Sequence, residues 1–325
     1  MGKNEPIGVA GGRALAKRWL KRAGMISLGA IGSYLTICVG AAYPLSSLLL
    51  RPRLKRLRQL KSSHLRRFLA ARGIAFEEAH FHSFDGTRLD GWWFEAGADC
   101  PTVIALHGLT KNRTDMVRFA IALGTAGINV LLFDGRGHGQ SDARFVTYGF
   151  YERRDVEAAI DYVVGERGVN EARVGLAGVS MGAAISLQVA AANRRIRAVW
   201  TDSPFSSLAS ITMDRMRFWT RLPARPLRPL QWATLKVAQR RGHFDVRLVD
   251  PLALASQITC PVYLVHGDAD AFINVEHSMR IFDALLSSEK HLWIIPGVGH
   301  GRGFRRATAE YGERLVAFFR GALGE

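Results

Sequence analysis

At 325 residues and 48% hydrophobic content, the chain can bury a sizeable core as one large domain with appendages. A net charge of +16 suggests a nucleic-acid binder until it is located: residues 1–72 hold 15 Lys+Arg against the single acid Glu5, whereas residues 73–325 hold 29 against 27 Asp+Glu. A nucleic-acid interface needs a basic face on the fold itself, so the near-neutral globular part argues against that class.

The chain opens with a basic tail over residues 1–23. Gly24 to Leu50 then runs for 27 residues without a charge, longer than the roughly 20 needed to cross a bilayer. Lys17, Arg18, Lys21 and Arg22 precede this run, and Arg51, Arg53, Lys55, Arg56 and Arg58 open a basic linker over 51–72. A cleaved signal peptide is the rival reading, with Val39-Gly40-Ala41 as a cleavage-like site. Signal cores run only about 7–15 residues and are not usually followed by a basic cluster. The run therefore reads as a single-pass transmembrane helix, and its more basic C-terminal flank favours a cytoplasmic catalytic domain.

From residue 73 to 325, short apolar runs alternate with amphipathic ones. Phe76–Phe84 and Arg88–Glu95 read as a hairpin across the turn dipeptide Asp85-Gly86. Strands follow over Thr102–Leu106, Ile128–Phe133, Arg173–Ala177, Ile196–Thr201, Val262–Val265 and His291–Ile295. Between and after them, helices are expected over Asp115–Leu123, Tyr151–Val164, Ala183–Arg194, Val275–Leu286 and Ala307–Phe319. Short apolar strands interleaved with helices indicate an α/β class, with a mostly parallel sheet covered on both faces. Residues 204–255 break the alternation and read as an irregular inserted cap.

The Arg173–Ala177 strand leads into Gly178-Val-Ser-Met-Gly182, which opens a helix. In a chain with 33 glycines the pentapeptide alone is not specific. Its strand-to-helix context is what counts: a Ser on so sharp a turn projects its hydroxyl above the sheet, and its neighbours two before and two after must be tiny. A neutral hydroxyl is a poor nucleophile, so Ser180 needs a general base oriented by a carboxylate. In chain order these are expected from loops after late strands. His300, in Gly297-Val-Gly-His-Gly301, directly follows the last strand. Asp270, in His266-Gly-Asp-Ala-Asp270, follows the strand before it; Asp268 and Asp202 compete for the same role, each near a strand end. The oxyanion needs backbone N–H donors fixed in advance. Met181, after the nucleophile, and Leu109, in His107-Gly-Leu109 after the Thr102–Leu106 strand, are the candidates.

Ala105-Leu-His-Gly-Leu-Thr-Lys-Asn-Arg113, Phe133-Asp-Gly-Arg-Gly-His-Gly-Gln-Ser141, the Ser180 turn, Thr201-Asp-Ser-Pro-Phe205 and Cys260-Pro-Val-Tyr-Leu-Val-His-Gly-Asp-Ala-Asp270 recur in order. Over about residues 74–322 this set resembles the α/β-hydrolase superfamily, most of all its bacterial, N-terminally anchored serine-hydrolase branch related to acylaminoacyl-peptidase-like proteins. The resemblance implies an α/β-hydrolase fold at a bacterial inner membrane, with Ser180 as nucleophile, Asp270 as acid, His300 as base, and Leu109 and Met181 as oxyanion donors. Relatives often carry Pro soon after the acid, where Ile273-Asn274 stands here.

No cofactor is implied: no H-E-x-x-H occurs, and no nucleotide-type G-x-G-x-x-G follows the first strand. No metal site is expected either. Cys38, Cys100 and Cys260 have no metal-type spacing and form no disulfide framework. His80 and His82 alternate on one strand face without a third ligand and read as exposed residues; His138 reads as structural, near the rim of the site.

Within the cap, Met213, Met216, Phe218, Trp219, Leu222, Leu227, Leu230 and Trp232 interleave with Arg215, Arg217, Arg221, Arg225 and Arg228. This composition suits either an ordinary lid with a solvated basic face or a surface that meets anionic lipid headgroups. The expected activity is that of a membrane-anchored serine hydrolase acting on an acyl ester or lipid-like substrate, with no nucleic-acid partner. Alternatives are a peptidase or amidase of the same fold, or a non-catalytic binding protein built on it.

Overall fold

The computed structural model describes residues 32–52, 74–143 and 145–324, together with 29, 66, 67, 69 and 70. The basic tail, residues 24–28, 30 and 31 of the apolar run, and most of the basic linker lie outside the described residues.

Eight strands form one sheet in the order β1-β2-β4-β3-β5-β6-β7-β8. Their ranges are β1 Glu77–His82, β2 Arg88–Phe94, β3 Thr102–Leu106, β4 Asn129–Phe133, β5 Val174–Val179, β6 Ile196–Asp202, β7 Val262–Gly267 and β8 Lys290–Ile295. β1 and β2 pair antiparallel around the Asp85-Gly86 turn, with Gly86 at φ +78°. β2 is antiparallel to β4, and the remaining pairs are parallel. The carboxyl ends of β3 to β8 therefore open on one edge of the sheet, where side chains from distant parts of the sequence can converge.

Successive side chains on a strand point to opposite faces, and this alternation builds two cores. Ile104, Leu131, Leu176, Val199 and Leu264 face one layer. It is made by α1 (Gly32–Leu50) at its far end, α3 (Glu152–Gly165), α4 (Met181–Ala192) and α7 (Glu276–Ala284). Val103, Val130, Ala177, Trp200 and Val265 face the other, covered by α2 (Val117–Gly124) and α8 (Thr308–Leu323). Residues 181–191 of α4 are all buried, as expected of a helix that is apolar on every side.

The expected strands and helices appear with their ends moved by a few residues. The exception is the cap. Residues 204–255 were expected to be irregular, but they carry α5 (Leu208–Thr220) and α6 (Ala224–Gly242). The prolines of this segment are compatible with the helices. Pro226 stands in the first turn of α6, where a backbone N–H has no intrahelical acceptor, and only Pro229 lies inside the helix. In α5, Leu208, Ile211 and Thr212 are buried at helical spacing, and Phe218 and Trp219 near its end are exposed.

Cys38, Ala42, Ser46 and Leu50, spaced by four, form the buried stripe of α1. Arg241 of α6 donates to the Tyr43 carbonyl at 3.1 Å and to Ser46 and Ser47 Oγ at 2.7 Å each, and its guanidinium lies 4.1 Å from the Tyr43 ring centroid. Tyr34 donates to the Pro226 carbonyl. These contacts lay α1 alongside α6, in the same direction. Leu35, Ile37, Val39, Tyr43 and Leu48 of the same helix remain exposed.

Candidate active site

The first functional element is the turn from β5 into α4. Ser180 sits at φ +57°, ψ −113°, outside the regions where a non-glycine residue rests without strain. Such a conformation costs of order 1–3 kcal/mol and persists only where the surroundings enforce it. Here the Ser180 N–H donates to the Asp202 carbonyl at 2.7 Å, and its own carbonyl accepts from Ala184 at 3.1 Å. The flanking glycines allow the turn to close. A Cβ on Gly182 would lie 2.2 Å from the Leu106 carbonyl oxygen, and one on Gly178 would lie 2.3 Å from the Gly182 oxygen. The start of α4 is thereby pressed against the end of β3.

His300 and Asp270 meet Ser180 from the last two strands. His300 Nε2 lies 2.9 Å from Ser180 Oγ, and His300 Nδ1 lies 2.6 Å from Asp270 Oδ2. Asp270 Oδ1 accepts the Phe272 and Ile273 N–H groups at 2.8 and 2.9 Å. Ile273 thus uses a hydrogen a proline could not supply, and Asn274 next to it accepts the Glu276 N–H at 2.9 Å just ahead of α7. Burial alone would raise the Asp270 carboxyl, but hydrogen bonds from His266 and His300, the His300 charge and the Ile273 N–H hold it well below the usual carboxylate range. A carboxyl depressed in this way stabilises the fold above the ordinary Asp value of about 3.9 and loses that contribution only as pH falls through its lowered value. Asp270 is therefore an anion at any ordinary working pH.

The competing carboxylates are engaged elsewhere. Asp268 Oδ1 accepts the Gly297 N–H at 2.6 Å, which ties the β7 loop to the loop carrying His300. Asp202 is buried and accepts from Ser203 Oγ at 2.8 Å and Tyr311 Oη at 3.1 Å; burial pushes its carboxyl up.

The loop after β3 is braced by two histidines. His107 Nε2 accepts the Gly135 N–H at 3.0 Å, so Nδ1 carries the proton and donates to the Gly108 carbonyl at 2.9 Å. Burial, followed by the charge of His138, pushes His107 down to about 3, in keeping with a neutral ring. The Gly108 carbonyl also accepts from Lys111 at 3.0 Å. A trans peptide points its C=O and N–H in opposite directions, so anchoring this carbonyl turns the Leu109 N–H away from it. His138, buried as expected near the rim, contacts the Leu109 carbonyl through Nε2. A Cβ on Gly108 would lie 3.4 Å from Ser180 Cβ, so this loop borders the nucleophile candidate. Met181, as first residue of α4, has an N–H without an intrahelical acceptor.

Two features escaped the sequence reading. The Phe272 ring lies 4.9 Å from the His300 ring, and the Arg215 guanidinium lies 4.1 Å from the Phe272 ring centroid. Arg215 had been grouped with the outward cap arginines, yet it is half-buried. Leu208, Ile211, Thr212 and Arg215 follow the i, i+3, i+4, i+7 spacing of one helix face, and that spacing was the available signal. The second is a latch between cap and core. His277 Nδ1 accepts the Ser206 N–H at 3.0 Å, and Nε2 donates to Asp214 of α5 at 2.9 Å. Among the described residues no cluster of His, Cys, Asp and Glu could hold a metal ion.

Comparison with known proteins adds a lineage. The sequence profile of the prolyl oligopeptidase family matches residues 116–325. YqkD of Bacillus subtilis is 30% identical over 219 residues, covering 67% of this chain and 70% of that protein. YfhR of Escherichia coli K12 is 31% identical over 255 residues, covering 76% and 81%. Among solved structures, the Pyrococcus furiosus esterase Pf2001 superposes with a TM-score of 0.65 at 23% identity, over 84% of this chain and 98% of that one. The Pyrococcus horikoshii acylaminoacyl peptidase gives 0.60 at 18% identity, over 77% and 42%. At these identities the two structures establish the fold alone.

The elbow glycines carry a direct expectation. Gly182→Ala should lower stability by about 1–3 kcal/mol, because the new methyl meets backbone rather than a movable side chain. Gly299→Ala, whose Cβ would find only the Ala269 oxygen at 3.7 Å, should stay within about 0.5 kcal/mol. Denaturant midpoints of the two variants check this, and equal midpoints would contradict the packing argument.

Proposed function

The chain belongs to the prolyl oligopeptidase family of α/β-hydrolases, and we propose that it is a serine hydrolase cleaving acyl esters through a covalent acyl-enzyme. The observation that carries the proposal is the unbroken chain from Ser180 Oγ through His300 to Asp270, at 2.9 and 2.6 Å. Ser180 attacks the carbonyl carbon while His300 Nε2 takes its proton, and the Asp270 anion steadies the imidazolium that forms. The Leu109 and Met181 N–H groups receive the charge developing on the carbonyl oxygen. Collapse of the tetrahedral species expels the alcohol with the proton from His300. Water then enters by the same route in reverse and frees the acid. An amide or peptide bond is the second reading, favoured by the family's name and by the acylaminoacyl peptidase among the structural neighbours.

We further propose that the protein is held in a membrane by its apolar N-terminal segment. Gly32–Leu50 is a 19-residue helix long and apolar enough to cross a bilayer. Spanning requires α1 to leave α6, whose exposed Arg225, Arg228, Lys236 and Arg240 cannot follow it into hydrocarbon. Insertion would remove Leu35, Ile37, Val39, Tyr43 and Leu48 from water, which the docked position leaves exposed. The exposed Phe218, Trp219, Leu222 and Trp232 of the cap, with Arg221, Arg225 and Arg228 nearby in sequence, suit a surface resting on anionic headgroups. Lipid-like esters are then the natural substrates.

Two measurements test these readings. Asp270→Asn should cut kcat on a p-nitrophenyl ester on the order of 10⁴-fold in a folded protein, and Asp202→Asn and Asp268→Asn should cost far less. A larger loss from either of the latter would reassign the acid. For the anchor, the full chain should stay in the membrane pellet through high-salt and alkaline carbonate washes. Release by carbonate would mean that α1 lies along α6 at the surface instead of spanning.

A further inference from the structure

Among the described residues, Arg215 is a cation without an anion. Its side chain is half-buried on the inner face of α5, and burial pulls its guanidinium below the usual arginine value. No carboxylate lies within ion-pair distance of it among the described residues. The carboxylate next to it in sequence, Asp214, is committed to His277 at 2.9 Å and to Arg217 at 3.8 Å. The contacts of Arg215 are instead aromatic: it lies over Phe272, and the Tyr148 hydroxyl acts on its charge. Phe272 in turn packs on the ring of His300 and gives its N–H to Asp270.

A partly desolvated charge left unpaired is costly unless something supplies the counter-charge. The two fully buried arginines among the described residues are paired. Arg136 is bound to Asp155 and Asp85, and Arg113 to Asp134 at 3.2 Å. Arg215, half-buried and unpaired, stands where a ligand would supply the partner, a single aromatic ring away from the candidate base. We propose that Arg215 binds an anionic group of the substrate, so that this hydrolase selects acyl compounds carrying a carboxylate at some distance from the scissile bond. The planar guanidinium offers two parallel N–H donors that match a carboxylate. Phe272 contacts both the guanidinium and the imidazole, which sets the spacing between the recognised charge and the attacked carbonyl. The inference rests on the serine-hydrolase reading above and adds a substrate class to it.

The test compares neutral and anionic esters on the full chain. The neutral probes are p-nitrophenyl hexanoate and octanoate. Mono-p-nitrophenyl adipate and suberate place the charge on the acyl side, and 4-hexanoyloxybenzoate places it on the leaving group. The quantity read is the ratio of kcat/KM on each anionic ester to that on its neutral counterpart. Arg215→Gln should lower this ratio roughly 10- to 100-fold for one of the two anionic classes, the range expected when a hydrogen-bonded charge partner is removed. The class affected shows which side of the bond the anion occupies. Arg215→Lys, which keeps the charge but not the planar fork, should recover part of the loss. Arg217→Gln, an exposed neighbour on the same helix, should leave the ratio where it was. Equal losses on neutral and anionic esters would show that Arg215 merely supports Phe272, and an unchanged ratio would show that it reads no charge; either overturns the proposal while leaving the hydrolase reading intact. Turnover of none of the esters by the unaltered protein would overturn both.

Discussion

The contact between α4 and the end of β3 governs the upper edge of this sheet. Gly182 lies so close to the Leu106 carbonyl that a methyl group has no room between them. That closeness has two consequences. It forces the chain entering α4 through the strained conformation at Ser180, which lifts the hydroxyl clear of the sheet. It also brings the loop after β3 beside the same residue, so the nucleophile candidate and both N–H candidates, Leu109 and Met181, gather at one junction of two chain segments. A wider separation between the helix and the strand would loosen all three together.

The rest of the edge is arranged around that fixed point. β7 and β8 end at neighbouring positions in the sheet, so the loops that follow them can place Asp270 and His300 in line with Ser180. Asp268 fastens one of these loops to the other through Gly297. Asp202 anchors Tyr311 of α8 under the site, while its backbone carbonyl holds the Ser180 N–H. Three carboxylates near one another thus have three distinct occupations: orientation of an imidazole, fixation of a loop, and attachment of a helix. The cap is joined to this framework through the His277 link to Asp214, on the helix that carries Arg215.

Much of this architecture was legible in the sequence. Apolar runs with short spacings gave the parallel sheet, because strands buried on both faces cannot hide their composition. The strand-to-helix setting of Gly178 to Gly182 drew attention to Ser180, and position favoured Asp270 over Asp202 and Asp268 as the candidate acid. Which of these side chains faces the imidazole is a geometric fact that linear order does not encode. The cap differs for another reason. Its strands are missing, so the alternation breaks, and only periodicity along α5 separates the inward Arg215 from the outward Arg217. The brace formed by His107 was also invisible, since a His-Gly pair at a strand end does not show where its ring will bond.

The central claim is that Ser180 is the nucleophile of a hydrolase, and covalent labelling tests it without any knowledge of the natural substrate. A fluorophosphonate probe should modify the protein on a single serine, located by peptide mass spectrometry at Ser180. The Ser180→Ala protein, shown to be folded by its circular dichroism, should take up none. Labelling that persists in folded Ser180→Ala, or that maps to another serine, would contradict the account.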